Sequence, residues 1–153
     1  MIKRFTVNKK IYISARPEAV FDALTCSSDI IKYYPLKKVT SEWKVGGEVL
    51  LDGEINGKNF RDHGIIQVLS RPTQFSYSYW STNQGTDIAP ENHLTIAYRL
   101  SPKEQGTQLD VEQSNIMSED VLKMMDPIWA SLLSSLKDYV EHRTSPCAQA
   151  GLR

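Results

Sequence analysis

Apolar and polar positions alternate along most of this chain, then give way near its C-terminal end to a helical period. Phe5, Val7, Ile11 and Ile13 share one parity, broken only at Lys9, and predict a strand over 5–14 with one apolar face. Residues 17–24 carry Val20, Phe21 and Leu24 on one helical stripe, with Pro17 in the first turn, where its missing donor costs nothing. A second short helix is predicted over 28–34 and is stopped by Pro35. Six further strands are expected over 41–45, 48–54, 58–69, 74–80, 91–100 and 107–114. Turn signals separate them: Gly46-Gly47, Asn56-Gly57, Arg71-Pro72, and the stretch from Pro102 to Gly106. Asn56-Gly57 is the strongest of these, because a type I′ hairpin needs positive φ at both central residues. A polar loop fills 81–90.

The helical period is carried by Ile128, Trp129, Leu132, Leu133, Leu136, Tyr139 and Val140, which recur on one face. Asp126-Pro127 predicts the start of that helix, a capping carboxylate followed by proline at the first helical position. A separate short helix is expected over 119–125. Strands joined mostly by short turns pair antiparallel. The long helix alone is large enough to cover one face of their sheet. The fold class is therefore α+β, a curved antiparallel sheet of about six or seven strands around a long C-terminal helix. The domain spans 1–143, and the small polar residues of 144–153 predict a disordered tail.

Length and charge narrow the function classes. A chain of 153 residues buries enough surface for one core without staples. Eighteen basic residues balance eighteen acidic ones, which argues against a nucleic-acid partner. Cys26 and Cys147 are far apart and supply neither a zinc ribbon nor a disulfide framework, so Cys26 is left as a candidate thiol. No apolar run has the length of a signal peptide or a membrane span, and the chain is expected to be cytoplasmic. His63, His93 and His142 lack metal-ligand spacing, and no metal or cofactor is expected. Asp62 and His63 are adjacent on a strand, so they point to opposite faces and form no dyad. Nucleophile elbows and phosphate loops are absent. Glu54, Arg61, Asp110 and Gln113 are the polar strand residues able to serve as acid, base or donor, and only Gln113 shares the inward parity of Leu109 and Val111.

The aromatic residues supply the positive signal. Packing alone accounts for any one of them, but Tyr77, Tyr79 and Tyr98 all fall on inward faces. A dry core seldom takes several hydroxyls, since each buried one without a partner costs about 1–3 kcal/mol. A cavity would accommodate them. Met117, Met124 and Met125 precede the long helix and suit an adaptable cavity mouth as well as ordinary packing.

The stretch Ile11-Tyr12-Ile13-Ser14-Ala15-Arg16-Pro17-Glu18-Ala19-Val20-Phe21-Asp22-Ala23-Leu24-Thr25 resembles the opening of START-like (SRPBCC, Bet v allergen-like) proteins. Trp43-Lys44-Val45-Gly46-Gly47-Glu48, the run from Gly64 to Pro72, the run from Gly106 to Ser114 and the final helix from Trp129 to Tyr139 are similar to the branch named for the activator of the heat shock protein 90 ATPase. Tyr33 or Tyr34 stands where many relatives carry tryptophan, and Gln113 stands where histidine is common. The resemblance, over about residues 7–142, implies a helix-grip fold with a cavity between sheet and helix. A small-molecule-binding domain for a lipid-like or polycyclic aromatic ligand is the leading reading. Trp43, Phe60 and Met117 would shape the walls and Tyr77, Tyr79 and Gln113 would offer hydrogen bonds, with Tyr33, Trp129 and Leu133 completing the ligand-binding set. The alternatives are a chaperone-interacting module and a cyclase or hydrolase acting on an apolar aromatic substrate. The protein is expected to be a monomer or a homodimer.

Overall fold

Strands whose one face must leave water need a partner surface, and here the partner is a single helix. The computed structural model describes residues 4–81 and 92–143. Its elements are β1 (Phe5–Ile13), α1 (Pro17–Leu24), α2 (Ser27–Tyr33), β2 (Lys38–Ser41), β3 (Glu48–Ile55), β4 (Lys58–Ser70), β5 (Gln74–Ser81), β6 (Leu94–Lys103), β7 (Gly106–Ile116) and α3 (Glu119–His142). The seven strands form one sheet in the order β1-β7-β6-β5-β4-β3-β2, every neighbouring pair antiparallel. Asn56 and Gly57 turn β3 into β4 with φ of 52° and 82°, as the hairpin signal requires. Register shifts in β1 between Phe5 and Val7 and in β4 between Ile66 and Val68 bend the sheet, since a bulge adds local twist.

The concave face holds the core. From α3, Trp129, Leu132, Leu133, Leu136 and Val140 are buried against it, each contributing on the order of 1.5–3 kcal/mol. Val111, Leu109, Ile96, Tyr98 and Phe75 meet them from the sheet. The helices α1 and α2 close one end, with Val20, Phe21, Leu24 and Ile30 in the same cluster. Among the described residues, no helix is long and apolar enough to cross a membrane.

Three sequence expectations change. A single helix spans the stretch expected as two, starting at Ser118, whose side chain accepts a hydrogen bond from the Val121 N–H, with Pro127 inside it. Pro127 forfeits one backbone hydrogen bond. Val121, Leu122 and Met125 pack on the core and hold the preceding turns in register. Ile128 lies at the margin of the helical stripe and is 41% exposed. The strand expected at 41–45 is found at Lys38–Ser41 instead, because Trp43 and Gly46 turn the backbone to positive φ and leave the ladder. The loop expected at 81–90, apart from Ser81 at the end of β5, and the tail at 144–153 lie outside the described residues.

Two ion pairs, the second of them buried on both sides, tie α1 and α2 to the rest of the fold. Arg71, in the turn after β4, grips Asp22 of α1 with two bonds of 2.9 Å. At the end of α3, Arg143 Nη1 donates to Asp29 of α2 at 2.7 Å, and the Tyr139 hydroxyl donates to the other carboxylate oxygen. The Asp29 and Arg143 side chains are only 5% and 10% exposed. Asp29→Asn leaves the Arg143 charge buried against a neutral amide, so it is expected to cost about 3 kcal/mol or more. The melting temperature should fall by roughly 6–12 °C. Arg61→Ala removes a more exposed partner of Asp52 on the outer sheet face and should change stability by less than about 1 kcal/mol. Urea and thermal unfolding of the two variants check both values.

Candidate functional site

Alternation along β5 places Phe75, Tyr77 and Tyr79 on the concave face, and Tyr98 of β6 joins them. The Phe75 ring stacks on Tyr98 at 6.0 Å and lies 5.4 Å from Tyr77, and Tyr98 meets Trp129 edge-on at 6.1 Å. Trp43, after β2, packs on Phe75 at 5.9 Å. It does so with φ of 52°, a conformation that costs a bulky residue on the order of 1–3 kcal/mol. Ser41 Oγ accepts from its backbone N–H and Ser27 Oγ from its indole N–H, which holds it there.

Trp43, Phe75, Tyr77 and Tyr98, with Tyr33, Tyr34, Leu24 and Leu51, enclose a cavity of about 30 Å³. That is room for a water or two and far below the ~300–1,000 Å³ of ordinary ligand pockets. Beyond Tyr33 and Tyr34 lies a second, more open space of about 460 Å³, a groove between α2 and α3. Ile31, Lys32 and Pro35 form one side, and Ile128, Ser131, Leu132 and Ser135 the other. Both tyrosines line cavity and groove alike, so they are the partition between them. Tyr33 is anchored by donating to the Ala23 carbonyl at 2.9 Å.

Gln113, 1% exposed, organises the middle of the concave face. Its Oε1 accepts from the Trp129 indole N–H at 2.7 Å and its Nε2 donates to the Tyr79 hydroxyl at 2.7 Å. An amide suits this place because it offers an acceptor to α3 and a donor to β5 at once.

Asp62 of β4 shares the parity of buried Gly64 and Ile66 and faces the concave side, opposite Leu51 of β3. One of its carboxylate oxygens is withdrawn from solvent. Burial pushes the Tyr34 phenol up to about 12, and the Asp62 charge adds to it. Burial also raises Tyr77 and Tyr79 well above the ordinary phenol range, with smaller contributions from neighbouring tyrosines and Asp62. For Tyr33 and Tyr98 burial is again the main cause.

The expected site residues separate into groups. Tyr33, Trp43 and Tyr77 line the cavity, while Tyr79, Gln113 and Trp129 bond to one another beside it. Leu133 is buried under α3. Phe60 is half-buried with its ring over Gly53, where a Cβ would come within 2.5 Å of it, and Met117 is 43% exposed between β7 and α3. Glu54 and Arg61 pair with Lys37 and Asp52 at exposed positions, and Asp110 takes a hydrogen bond from Gln108. Cys26 is fully buried and disulfide-bonded, which withdraws it as a candidate thiol and corrects the reading that the cysteines supply no disulfide. No metal-ligand cluster occurs among the described residues. The groove itself escaped sequence reasoning, although Ser131 and Ser135, small residues one helical turn apart, mark its α3 wall. Asp62 escaped too, although parity alone puts it inward.

Two outcomes follow from this geometry. Gln113→Leu strands the Trp129 donor and should cost about 1–3 kcal/mol in urea unfolding. Six of the seven tyrosines, Tyr33, Tyr34, Tyr77, Tyr79, Tyr98 and Tyr139, have folded pKa values raised above the unfolded 10.0. Between pH 10 and about 12 the unfolded state holds fewer protons than the folded one, so stability falls as pH rises through that window. Alkaline titration at 295 nm should show these phenols ionising together with unfolding rather than before it.

Comparison with known proteins places this geometry. The family described as "Activator of Hsp90 ATPase homolog 1-like protein" matches residues 14–141. No curated protein sequence matches the chain. Among solved structures, ChR145 from Cytophaga hutchinsonii is 29% identical, with a TM-score of 0.79 over 92% of this chain and 96% of that one. The Aha1 dimer from Colwellia psychrerythraea is 22% identical, with a TM-score of 0.73 over 92% of this chain and 99% of that one. Ara h 8.0201 shares only 13% identity, yet reaches a TM-score of 0.75 over 92% of this chain and 100% of that one. With the seven-stranded sheet and the gripping helix in place, this chain has the helix-grip fold and belongs to the Activator of Hsp90 ATPase homolog 1-like family.

Proposed function

We propose that this domain binds an apolar, ring-containing small molecule that enters by the groove between α2 and α3 and lodges against the aromatic floor of the sheet. The observation that carries this reading is the pairing of a phenol-rich inner cavity with a ligand-sized groove across a two-tyrosine partition. The inner cavity of about 30 Å³ is too small to hold such a ligand as it stands. Binding therefore requires Tyr33 and Tyr34 to swing aside and merge the two spaces. That requirement reduces the apparent affinity by the fraction of molecules already open. Polycyclic aromatic or lipid-like skeletons suit the walls, because Trp43, Phe75 and Leu132 offer flat or aliphatic surface with few polar groups. Tyr33, Tyr34, Tyr77 and Trp43 form the inner wall, and Trp129 and Leu133 support it from α3. Phe60 and Met117 would join only through a larger opening of the sheet edge or of the α3 N-terminus.

A nitrogen–proton NMR titration with fatty acids, a sterol and flavonoid-like compounds tests the reading. Saturable shifts should concentrate on α2, Trp43, Tyr77 and the middle of α3. Ser131→Trp places an indole in the groove from an exposed helix position, so it should weaken binding about tenfold or more while leaving the melting temperature nearly unchanged. A panel that stays silent overturns the reading and favours a protein partner. The Hsp90 ATPase named in the family description would then be the first to assay.

A further inference from the structure

The groove between α2 and α3 is apolar along most of its walls and carries charge at one place. Ile31, Pro35, Ile128 and Leu132 supply aliphatic surface, and Lys32 is the only charged lining residue. Every residue lining the inner cavity is uncharged. The Lys32 ammonium lies 6.0 Å from the centroid of the Tyr139 ring. Tyr139 follows Ser135 by one helical turn, so the cation stands toward the C-terminal end of the α3 wall, away from Ile128. Ser131 and Ser135 add two hydroxyls on that wall, each able to donate a hydrogen bond.

The neighbouring charges are already matched, and Lys32 is not. Asp29 accepts from Arg143 and from the Tyr139 hydroxyl. Asp126 pairs with Lys9, Lys37 with Glu54 and Lys137 with Glu141. Asp138, beyond Ser135 on α3, lies beside His142 and outside the groove lining. Among the described residues, Lys32 has no carboxylate partner.

Resting on the proposed ligand-binding role, we infer that Lys32 fixes the class and the orientation of the ligand: an apolar ring body bearing one carboxylate, with the carboxylate held at the groove and the rings directed inward past Tyr33 and Tyr34. An ionised carboxylate is acceptor-only, and its two oxygens can take the ammonium and a serine hydroxyl together. The bond from the ammonium is charge-assisted and the stronger of the two. The reverse orientation would bury the anion among uncharged rings, which is costly without a partner. A ligand of the same shape bearing an ammonium meets a like charge at the mouth, so repulsion sharpens the selection.

Three probes of one skeleton isolate the effect: naphthalene, 2-naphthylmethylamine and 2-naphthoate, titrated by calorimetry and NMR at neutral pH. The wild-type protein should bind naphthoate about fivefold or more tightly than the amine, because attraction of one and repulsion of the other both enter the ratio. Amide shifts with naphthoate should include Lys32, Ser131 and Ser135. Raising salt from about 0.1 M to about 1 M shortens the Debye length from about 10 Å to about 3 Å and should cut that ratio by about half or more. Lys32→Gln should bring the ratio to about twofold or less, while Lys32→Arg should keep it. Lys58→Gln removes an equal charge at the β3–β4 hairpin and should leave it unchanged. Both lysines are exposed, so these variants should fold as the wild-type protein does. An unchanged ratio in Lys32→Gln would overturn the inference. An equal fall in Lys58→Gln would overturn it too, by assigning the preference to net charge. If naphthalene binds while naphthoate and the amine bind equally, the ligand-binding role stands and this inference falls. If all three fail to bind, both fall together.

Discussion

The hydrogen bond from the Trp129 indole to Gln113 is the constraint around which the interior is arranged. The largest side chain of α3 lies 2% exposed in the middle of the sheet, and its one polar atom needs an acceptor there. Gln113 supplies it and passes its own donor to Tyr79. Sheet and helix are thereby registered by directional bonds as well as by apolar area. Shifting the register of β7 by one residue would turn Gln113 outward and leave the indole stranded. Because these three groups satisfy one another, the cavity lies away from them, among Trp43, Tyr77 and Tyr98.

The same economy explains why the enclosure lies under α2. That helix is only seven residues long and gains little from its own backbone. Its place is set from outside by the Arg143–Asp29 pair and by Tyr139, and at its C-terminal end by the Tyr33 hydroxyl on Ala23. Between these ties, Ile31 and Lys32 lie exposed along the groove. An element held at a few points over small contacts moves more readily than the strands below it. The partition tyrosines sit at its end. Trp43, kept at positive φ by two serine hydroxyls, stores strain on the opposite wall. Cost is thus concentrated around the cavity, while the sheet and α3 carry the stability.

The phenols of Tyr33, Tyr34, Tyr77 and Tyr98 give this interior a polarity that apolar volume alone would lack. Tyr33 and Tyr34 lie where the inner cavity meets the groove. The rings that close the cavity are also the surface on which the proposed planar ligand would stack.

The sequence by itself determined the strand alternation, the Asn56-Gly57 hairpin, the apolar face of α3 and the inward parity of Tyr77, Tyr79, Tyr98 and Gln113. Each of these rests on local periodicity or on the steric demands of one turn, so neighbours along the chain suffice to read it. Tertiary structure decided the rest. Continuity of α3 through Pro127 depends on Val121, Leu122 and Met125 meeting the core, which no local propensity reports. The pairing of Gln113 with Trp129 joins residues sixteen apart on different elements, and Asp29 meets Arg143 across more than a hundred. The groove exists only because α2 and α3 are fixed side by side by that ion pair. A binding site is a set of surfaces brought together by packing, and periodicity specifies faces without specifying what each face will meet.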